Sequence, residues 1–268
     1  MREGSPGTEA PRLRLLPSWV TVEEVRALQP TRAGDPRPAL LLGVDEHSLA
    51  PVTLDVHSEP HLLLFGDGGS GKSAALRTYL HEVRRSRGPE QAQVVVVDYR
   101  RALLGEVPDD QLLHYLTSSA QAVPALAELA AYLTKRLPGP DATPEQLRNR
   151  SWWTGADVFV VVDDYDLVAT SHGSPLEPLV ELMPQAVDVG LHVVLARRSG
   201  GAARALYEPV VQAMRDLSMP AVLLSGSPDE GPLVGAVRPR PALPGRAQYV
   251  TRSGGSQVVQ LAWSDPVS

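Results

Sequence analysis

Apolar and polar positions along this chain switch between two periods. "LLLF" (Leu62 to Phe65), "QVVVVDYR" (Gln93 to Arg100), "DVFVVVDD" (Asp157 to Asp164), "LHVVLAR" (Leu191 to Arg197) and "AVLLS" (Ala221 to Ser225) are short, continuous apolar runs. Unbroken runs this rich in β-branched residues predict strands covered on both faces, as in a parallel sheet. Between them the spacing lengthens. Leu76, Leu80 and Val83 share one helical face with Arg77, Arg84 and Arg85 elsewhere, and Leu126, Ala130, Leu133 and Leu137 recur at helical spacing behind a capping Ser118 or Ser119. "SPLEPLVELMPQAVDVG" predicts a helix ending at Gly190, and "AARALYEPVVQAMRDL" predicts another. Strands alternating with helices predict an α/β fold with a mostly parallel sheet covered by helices.

The ends of the chain add antiparallel pieces. "ALLLGVDEHSLAPVTLDV" reads as a hairpin leading into the strand at Leu62, and "AQYVT" with "QVVQLAW" as a closing hairpin. Residues 1–38 mix Pro, Gly and charge around "LRLLPSWVTVEEVRAL", where Thr21 caps a short helix with Glu23 and Glu24 in its first turn. We expect residues 1–38 to be a linker with this short helix, and residues 39–268 to form the domain.

Composition narrows the setting. A chain of 268 residues with 43% apolar content can bury a full core. It contains no run of 18 apolar residues and no apolar leader at its N-terminus, so a cytoplasmic setting is expected. Zero cysteines remove disulfides, thiolate metal sites and thiol nucleophiles. The formal charge of −6 disfavours a DNA-coating surface, although "EVRRSRG" (Glu82 to Gly88) is a small basic stripe. Seven histidines show no metal-ligand spacing. Trp152 and Trp153 are read as packing residues rather than a partner anchor, and Tyr165 with Asp166 as a chain turn.

The chemistry concentrates after Phe65. Gly66, Asp67, Gly68, Gly69, Ser70, Gly71, Lys72, Ser73 and Ala74 fit the phosphate-cradle spacing G-x-x-x-x-G-K-[ST], placed between a predicted strand and a predicted helix. Glycines let successive N–H groups turn inward on phosphate oxygens, and the helix adds its positive end. Lys72 would reach the β- and γ-phosphates of ATP, and Ser73 would give a hydroxyl to Mg²⁺. Asp163 and Asp164 close a buried strand at the ligand edge of such a sheet. Asp163 is the candidate partner of Mg²⁺ through water, as in the Walker-B element of P-loop NTPases. Asp164 stands where a hydrolytic motor carries Glu; it is a weak base candidate, short by one methylene, and a misplacement of about an ångström costs roughly a hundredfold in rate.

The stretches "FGDGGSGKSAALR", "VVVVDYRRALLGEVP", "RLPGPDATPEQLRNRSWWTG", "VFVVVDDYD", "GLHVVLARRSGGAARALY" and "LLSGSPDEGPLVGAVRPRPALPGRAQYV" together resemble the FtsK/SpoIIIE superfamily of ring-forming P-loop ATPases. Within it they resemble the most C-terminal, third, ATPase domain of the EccC motors of type VII (ESX) secretion. The match runs from about residue 39 to residue 263, and "LLPSWVTVEEV" resembles the linker entering that domain. The resemblance implies a RecA/FtsK-like fold, ATP and Mg²⁺ as ligands, and a cytoplasmic domain of a membrane-anchored protein with several ATPase domains in series. It further implies recognition of the C-terminal signal peptide of EsxB-like helical secreted substrates, a ring-forming homo-oligomer, and no nucleic acid partner. It places the loop Ser225 to Gly235 over the nucleotide base.

Two departures from the translocating members, Asp164 and the Arg197–Arg198 pair where a polar sensor is usual, imply a domain that holds ATP with little turnover. Arg197 and Arg198 contact phosphate, contact a neighbouring subunit, or form an exposed loop pair. Arg136, Arg148 and Arg150 are the candidates for an arginine finger. The helix with Leu206, Val210, Met214 and Leu217 is one candidate wall for a peptide recess, and sheet packing is the favoured reading of the same spacing. An active FtsK-like DNA translocase is the competing function, and a stand-alone small-molecule NTPase or kinase a third.

Overall fold

The apolar runs meet as neighbours in one ten-stranded sheet, ordered β2-β1-β10-β9-β8-β3-β7-β6-β4-β5, in the computed structural model of the protein. The structure describes residues 15–29, 38–171, 173–252 and 255–267; the predicted linker's stretches 1–14 and 30–37 lie outside these. Strands β1 (Leu40–Asp45) and β2 (Pro51–Leu54) form the predicted first hairpin. Strands β3 (His61–Phe65), β4 (Ala92–Val97), β5 (Leu112–Leu116), β6 (Asp157–Val162), β7 (Leu191–Arg197) and β8 (Ala221–Leu223) pair in parallel. Strands β9 (Arg246–Thr251) and β10 (Gly255–Leu261) continue the sheet antiparallel from β8 to β1. This is the mostly parallel, helix-covered α/β sheet with antiparallel additions that the pattern predicts.

Helices α1 (Val22–Ala27), α2 (Lys72–Ser86), α3 (Ser119–Thr134), α4 (Pro144–Asn149), α5 (Tyr165–Val168), α6 (Ala186–Val189), α7 (Ala202–Ala205) and α8 (Pro209–Asp216) complete the chain. Alternation along the central strands sorts the core into two layers. Val95, Val97, Val158, Val160, Val162, Val193 and Leu195 pack against α3, α8 and the segment before α6. Val94, Val96, Phe159, Val161, Val194 and Ala196 face Leu76, Tyr79, Leu80 and Val83 of α2 and the first hairpin. A strand with both faces buried needs apolar residues at every position, which explains the unbroken valine runs.

Four elements depart from the expected ones. Strand β5 goes unforeseen because it is the sheet edge: its residues are mostly half-covered or exposed, so neither a buried run nor a clean alternation marks it. The helix expected over "SPLEPLVELMPQAVDVG" is a 3₁₀ segment, Glu177–Gln185, followed by the four-residue α6. Pro178 and Pro184 remove N–H donors there; the segment ends at Gly190 as expected, and Gly190 is in the left-handed conformation. "AARALYEPVVQAMRDL" breaks into α7 and α8, with Pro209 opening α8 at its first position. Helix α4, capped by Thr143 in a Thr–Gln capping box, was also not foreseen.

Residues 15–29 sit against the sheet. Thr21 caps α1 in a reciprocal box with Glu24. Val20, Val22 and Val25 pack on Leu41, Val44 and Ala262. Glu82 of α2 binds this region from beneath: its carboxylate is fully shielded, lies 2.6 Å from Arg26 Nη2 and 2.9 Å from Arg85 Nε, and accepts from the Leu41 N–H at 3.2 Å. Burial raises its pKa, but the neighbouring His81 ring, hydrogen bonds from Arg85 and the Leu41 N–H, and the Arg85 charge outweigh it, bringing the pKa down to about 2. A depressed carboxylate contributes stability that is complete above its ordinary 4.5 and is lost as pH falls toward about 2. Glu82→Gln is expected to lower unfolding free energy at neutral pH by about 1–3 kcal/mol. It should also flatten the stability–pH curve across that acid window, both read from urea unfolding at a series of pH values.

Candidate nucleotide site

The cradle follows β3 directly. Gly66 donates its N–H to Arg197 O at 3.2 Å, and Asp67 donates to Ser225 O at 2.8 Å, anchoring the loop to the ends of β7 and β8. A Cβ at residue 66 would stand 2.4 Å from Ser70 Oγ and 2.8 Å from Leu224 Cβ, so only glycine fits the crossing. Gly69 (φ 74°) and Gly71 (φ 108°) adopt left-handed geometry that other residues resist, which turns the loop into α2. No atom stands within 4 Å of where a Cβ would be at Gly68 or Gly69, so the loop is open on that side. Helix α2 starts at Lys72 with no side-chain cap and no acidic residue in its first turn. Its positive end is therefore free for an anion. Ser70 Oγ is buried without a hydrogen-bond partner among the described residues. Lys72 is buried, its Nζ donating to Asp67 O at 3.2 Å across the loop. A buried hydroxyl without a partner among the described residues, a helix end without a side-chain cap and the Lys72 ammonium at the loop are a donor set suited to a polyphosphate.

The Mg²⁺ candidates meet. Ser73 Oγ donates to Asp163 Oδ2 at 2.6 Å, linking the first turn of α2 to the residue after β6. Asp163 is buried, and burial raises its pKa; the Ser73 hydrogen bond opposes this, while the charges of Asp164 and Asp98 add to it. Two oxygen ligands at the phosphate edge are the hard donors Mg²⁺ takes, with water completing its shell.

Asp164 follows with φ 45° and ψ 55°, a left-handed conformation unusual for a residue with a Cβ. Its carboxylate faces Arg100, with Nε to Oδ2 at 3.2 Å, and Arg100 itself is 52% exposed. Sequence reasoning missed Arg100, which no spacing marks. It also missed Asp98, buried at the end of β4, where it accepts from the Arg100 and Leu103 N–H groups and the Tyr115 hydroxyl. Asp98 carries the same signal as Asp163, a carboxylate closing a valine run.

The other candidates separate. Arg197 is the buried last residue of β7, its Nη1 3.8 Å from Glu208 and its Nε bonded to Arg198 O, so only Arg198, paired with Asp166 at 3.6 Å, is exposed. Arg136 is locked inside the fold, donating to Val189 O and Ala156 O at 3.0 Å with its guanidinium 4.1 Å over the Trp153 ring. This burial removes it from the arginine-finger candidates. Arg150 is tied to Asp188 at 3.5 Å and to His57. The Trp152 and Trp153 N–H groups donate to Arg136 O and Asp188 O, a packing arrangement. Val210 and Met214 are fully buried in the core, so the favoured sheet-packing reading of α8 stands. The loop from Ser225 lies against the cradle's base, with Glu230 accepting from the Gly201 N–H.

A strand–cradle–helix unit with its helix hydroxyl bonded to a strand-end carboxylate is the architecture of a P-loop ATPase. Residues 21–139 match the FtsK/SpoIIIE family, so the chain contains an FtsK/SpoIIIE domain. Over 266 residues, 99% of this chain, it is 49% identical to the ESX-4 secretion system protein EccC4 of Mycobacterium tuberculosis. Among solved structures it is similar to the cytoplasmic domain of the type VII secretion ATPase EccC of Thermomonospora curvata, with 43% identity, a TM-score of 0.88, 97% of this chain and 30% of that one. A second T. curvata EccC structure, ATPases 2 and 3 in complex with a signal sequence peptide, matches with the same identity and TM-score over 46% of its length. The chain spans 21% of the length of that EccC4 protein and 20% of the curated EccC of T. curvata.

Asp163→Asn is expected to weaken Mg²⁺-supported ATP binding by about 10–100-fold while leaving binding in EDTA unchanged, by titration calorimetry. Equal loss in both conditions would remove Asp163 from the metal.

Proposed function

We propose that this domain is an ATP-holding, substrate-recognising module of an ESX secretion motor, the last ATPase domain in its longer protein. The observation that carries the reading is the contrast within one site: a complete cradle with its Ser73–Asp163 bond, beside an Asp164 that is short and held by Arg100. Gly66, Asp67, Gly68, Gly69, Ser70, Gly71, Lys72, Ser73 and Ala74 would hold the phosphates, with Ser73 and Asp163 holding Mg²⁺ directly and through water. Bound Mg²⁺ supplies charge neutralisation between the phosphates. Lys72 stabilises the terminal phosphate charge. Asp164 is one methylene shorter than Glu and its carboxylate is turned to Arg100, so it is poorly placed to orient an attacking water and hydrolysis by the domain alone is slow.

The partner reading rests on the relatives: EccC proteins belong to ESX secretion systems, and one solved relative holds a signal sequence peptide. By extension this domain takes the C-terminal signal of an EsxB-like helical substrate and works beside neighbouring ATPase domains in a ring-forming assembly. No described helix is long and apolar enough to cross a membrane. The anchor would therefore lie elsewhere in the longer protein, with this domain on the cytoplasmic side. DNA translocation is disfavoured by the net charge of −6 and by the state of the basic stripe, where Arg84 bonds Glu106 O and Arg85 pairs with Glu82.

Steady-state ATP turnover by the purified domain should fall well below about one per second; a value near that figure overturns the slow-hydrolysis reading. A fluorescently labelled EsxB-like C-terminal peptide should bind saturably in an anisotropy titration and resist competition by duplex DNA. Salt-sensitive DNA binding without peptide binding would favour the translocase.

A further inference from the structure

Strand β4 leaves the sheet through a tight turn. Asp98, 1% exposed, closes its valine run and folds its carboxylate back on the chain that follows: Oδ1 accepts from the Arg100 N–H at 3.1 Å and Oδ2 from the Leu103 N–H at 2.8 Å. An aspartate bonded to the backbone two residues on fixes such a turn. The Arg101 N–H adds a bond to Asp98 O at 3.3 Å, with Arg101 at φ 61°. Oδ2 has a second donor, the Tyr115 hydroxyl at 2.7 Å, which comes from β5 at the edge of the sheet. The backbone of Arg100 is thus held by Asp98, and Asp98 by Tyr115.

Across from it, Asp164 has a fixed backbone. The Asp163 N–H donates to Val97 O at 3.0 Å, the Asp164 N–H donates to Asp163 Oδ1 at 2.9 Å, and Tyr165 is fully buried. With both neighbours anchored, rotation about its side-chain bonds is the motion left to the Asp164 carboxylate. Arg100 Nε stands 3.2 Å from Oδ2 and takes up that freedom. The Arg100 side chain is 52% exposed, and among the described residues Asp164 is its one partner. An ion pair open to solvent in this way holds weakly and is screened by salt.

We propose that Arg100 is a positioning residue that parks Asp164 away from the attacking water, and that Asp98 and Tyr115 carry this restraint from the sheet edge; the inference rests on the slow-hydrolysis reading above. Slow turnover then has two separable causes. The missing methylene of Asp164 is permanent, whereas the ion pair opens and closes. Opening it frees the carboxylate to accept a hydrogen bond from water, and loosening the bond from Tyr115 to Asp98 makes opening easier. Hydrolysis is thereby adjustable from β5, four strands away from β3 in the sheet. An arginine that instead served the phosphates would act with the opposite sign, because its loss would slow the reaction.

The test measures single-turnover ATP cleavage at saturating protein, and ATP affinity, on the whole chain, with thermal melts to confirm folding. The variants are Arg100→Ala, Arg100→Lys, Tyr115→Phe, Asp164→Asn, and Arg100→Ala combined with each of the last two. Cleavage is expected to be about two- to fivefold faster in Arg100→Ala, with ATP affinity unchanged. Arg100→Lys, which keeps the charge, should restore much of the restraint, and Tyr115→Phe should give a smaller gain than Arg100→Ala. The gain from Arg100→Ala should vanish in Asp164→Asn, and Tyr115→Phe should add nothing to Arg100→Ala. Added salt should speed the parent and leave Arg100→Ala unchanged. A slower or unchanged rate in Arg100→Ala, or a gain that persists in Asp164→Asn, overturns the positioning role; the slow-hydrolysis reading then stands if the parent stays well below about one per second. A parent rate near that figure overturns the slow-hydrolysis reading and this inference with it. An unchanged rate in Tyr115→Phe overturns the link to the sheet edge.

Discussion

The hydrogen bond from Ser73 Oγ to Asp163 Oδ2 depends on three strands keeping register. Strand β7 lies between β3 and β6, pairing Phe65 with Arg197 on one side and Leu195 with Val162 on the other. The end of β3 therefore runs two positions beyond the end of β6, and the cradle overhangs the carboxylate that follows Val162. A one-residue slip in either pairing would turn every valine from one core layer to the other. The two-sided apolar packing that makes these strands pair is thus also what brings helix hydroxyl and strand-end carboxylate together. Site geometry and fold stability rest on the same register.

That arrangement gathers acidic groups at the parallel strands' ends. Asp98 and Asp163 are both buried there, and their mutual repulsion with Asp164 helps raise the Asp163 pKa. Asp98 is stabilised by two backbone N–H groups and a tyrosine hydroxyl, and Asp164 by Arg100, while Asp163 has the Ser73 hydroxyl and the Asp164 N–H. The buried Asp163 has two neutral donors, whereas Asp164 faces a cationic side chain, which is consistent with a cation as the further partner of Asp163. The left-handed backbone at Asp164 adds a local cost of about 1–3 kcal/mol, retained at the one turn that joins the strand end to α5.

The fold was legible where burial was complete. Each valine or leucine run in the middle of the sheet became a strand, because a residue covered on both faces has no polar alternative. Legibility failed at the edge and at prolines: β5 is half-covered or exposed on both faces over most of its length, and Pro178, Pro184 and Pro209 cut helical periodicity without erasing it. The cradle was legible because glycine spacing is a backbone requirement written directly into residue type. Arg100, Asp98 and the Trp19–Trp263 pair were not, since each acts through contacts between distant parts of the chain, 244 residues apart in the tryptophans' case. No local pattern records such a meeting.

The proposed retention of intact ATP is open to direct measurement. Mixing the protein with a stoichiometric amount of radiolabelled Mg-ATP, isolating the complex and resolving bound ATP from ADP over time addresses it most directly. A domain that holds ATP without turning it over keeps the protein-bound label as ATP for minutes. Bound label converted to ADP within seconds, or no bound label at all, would contradict it.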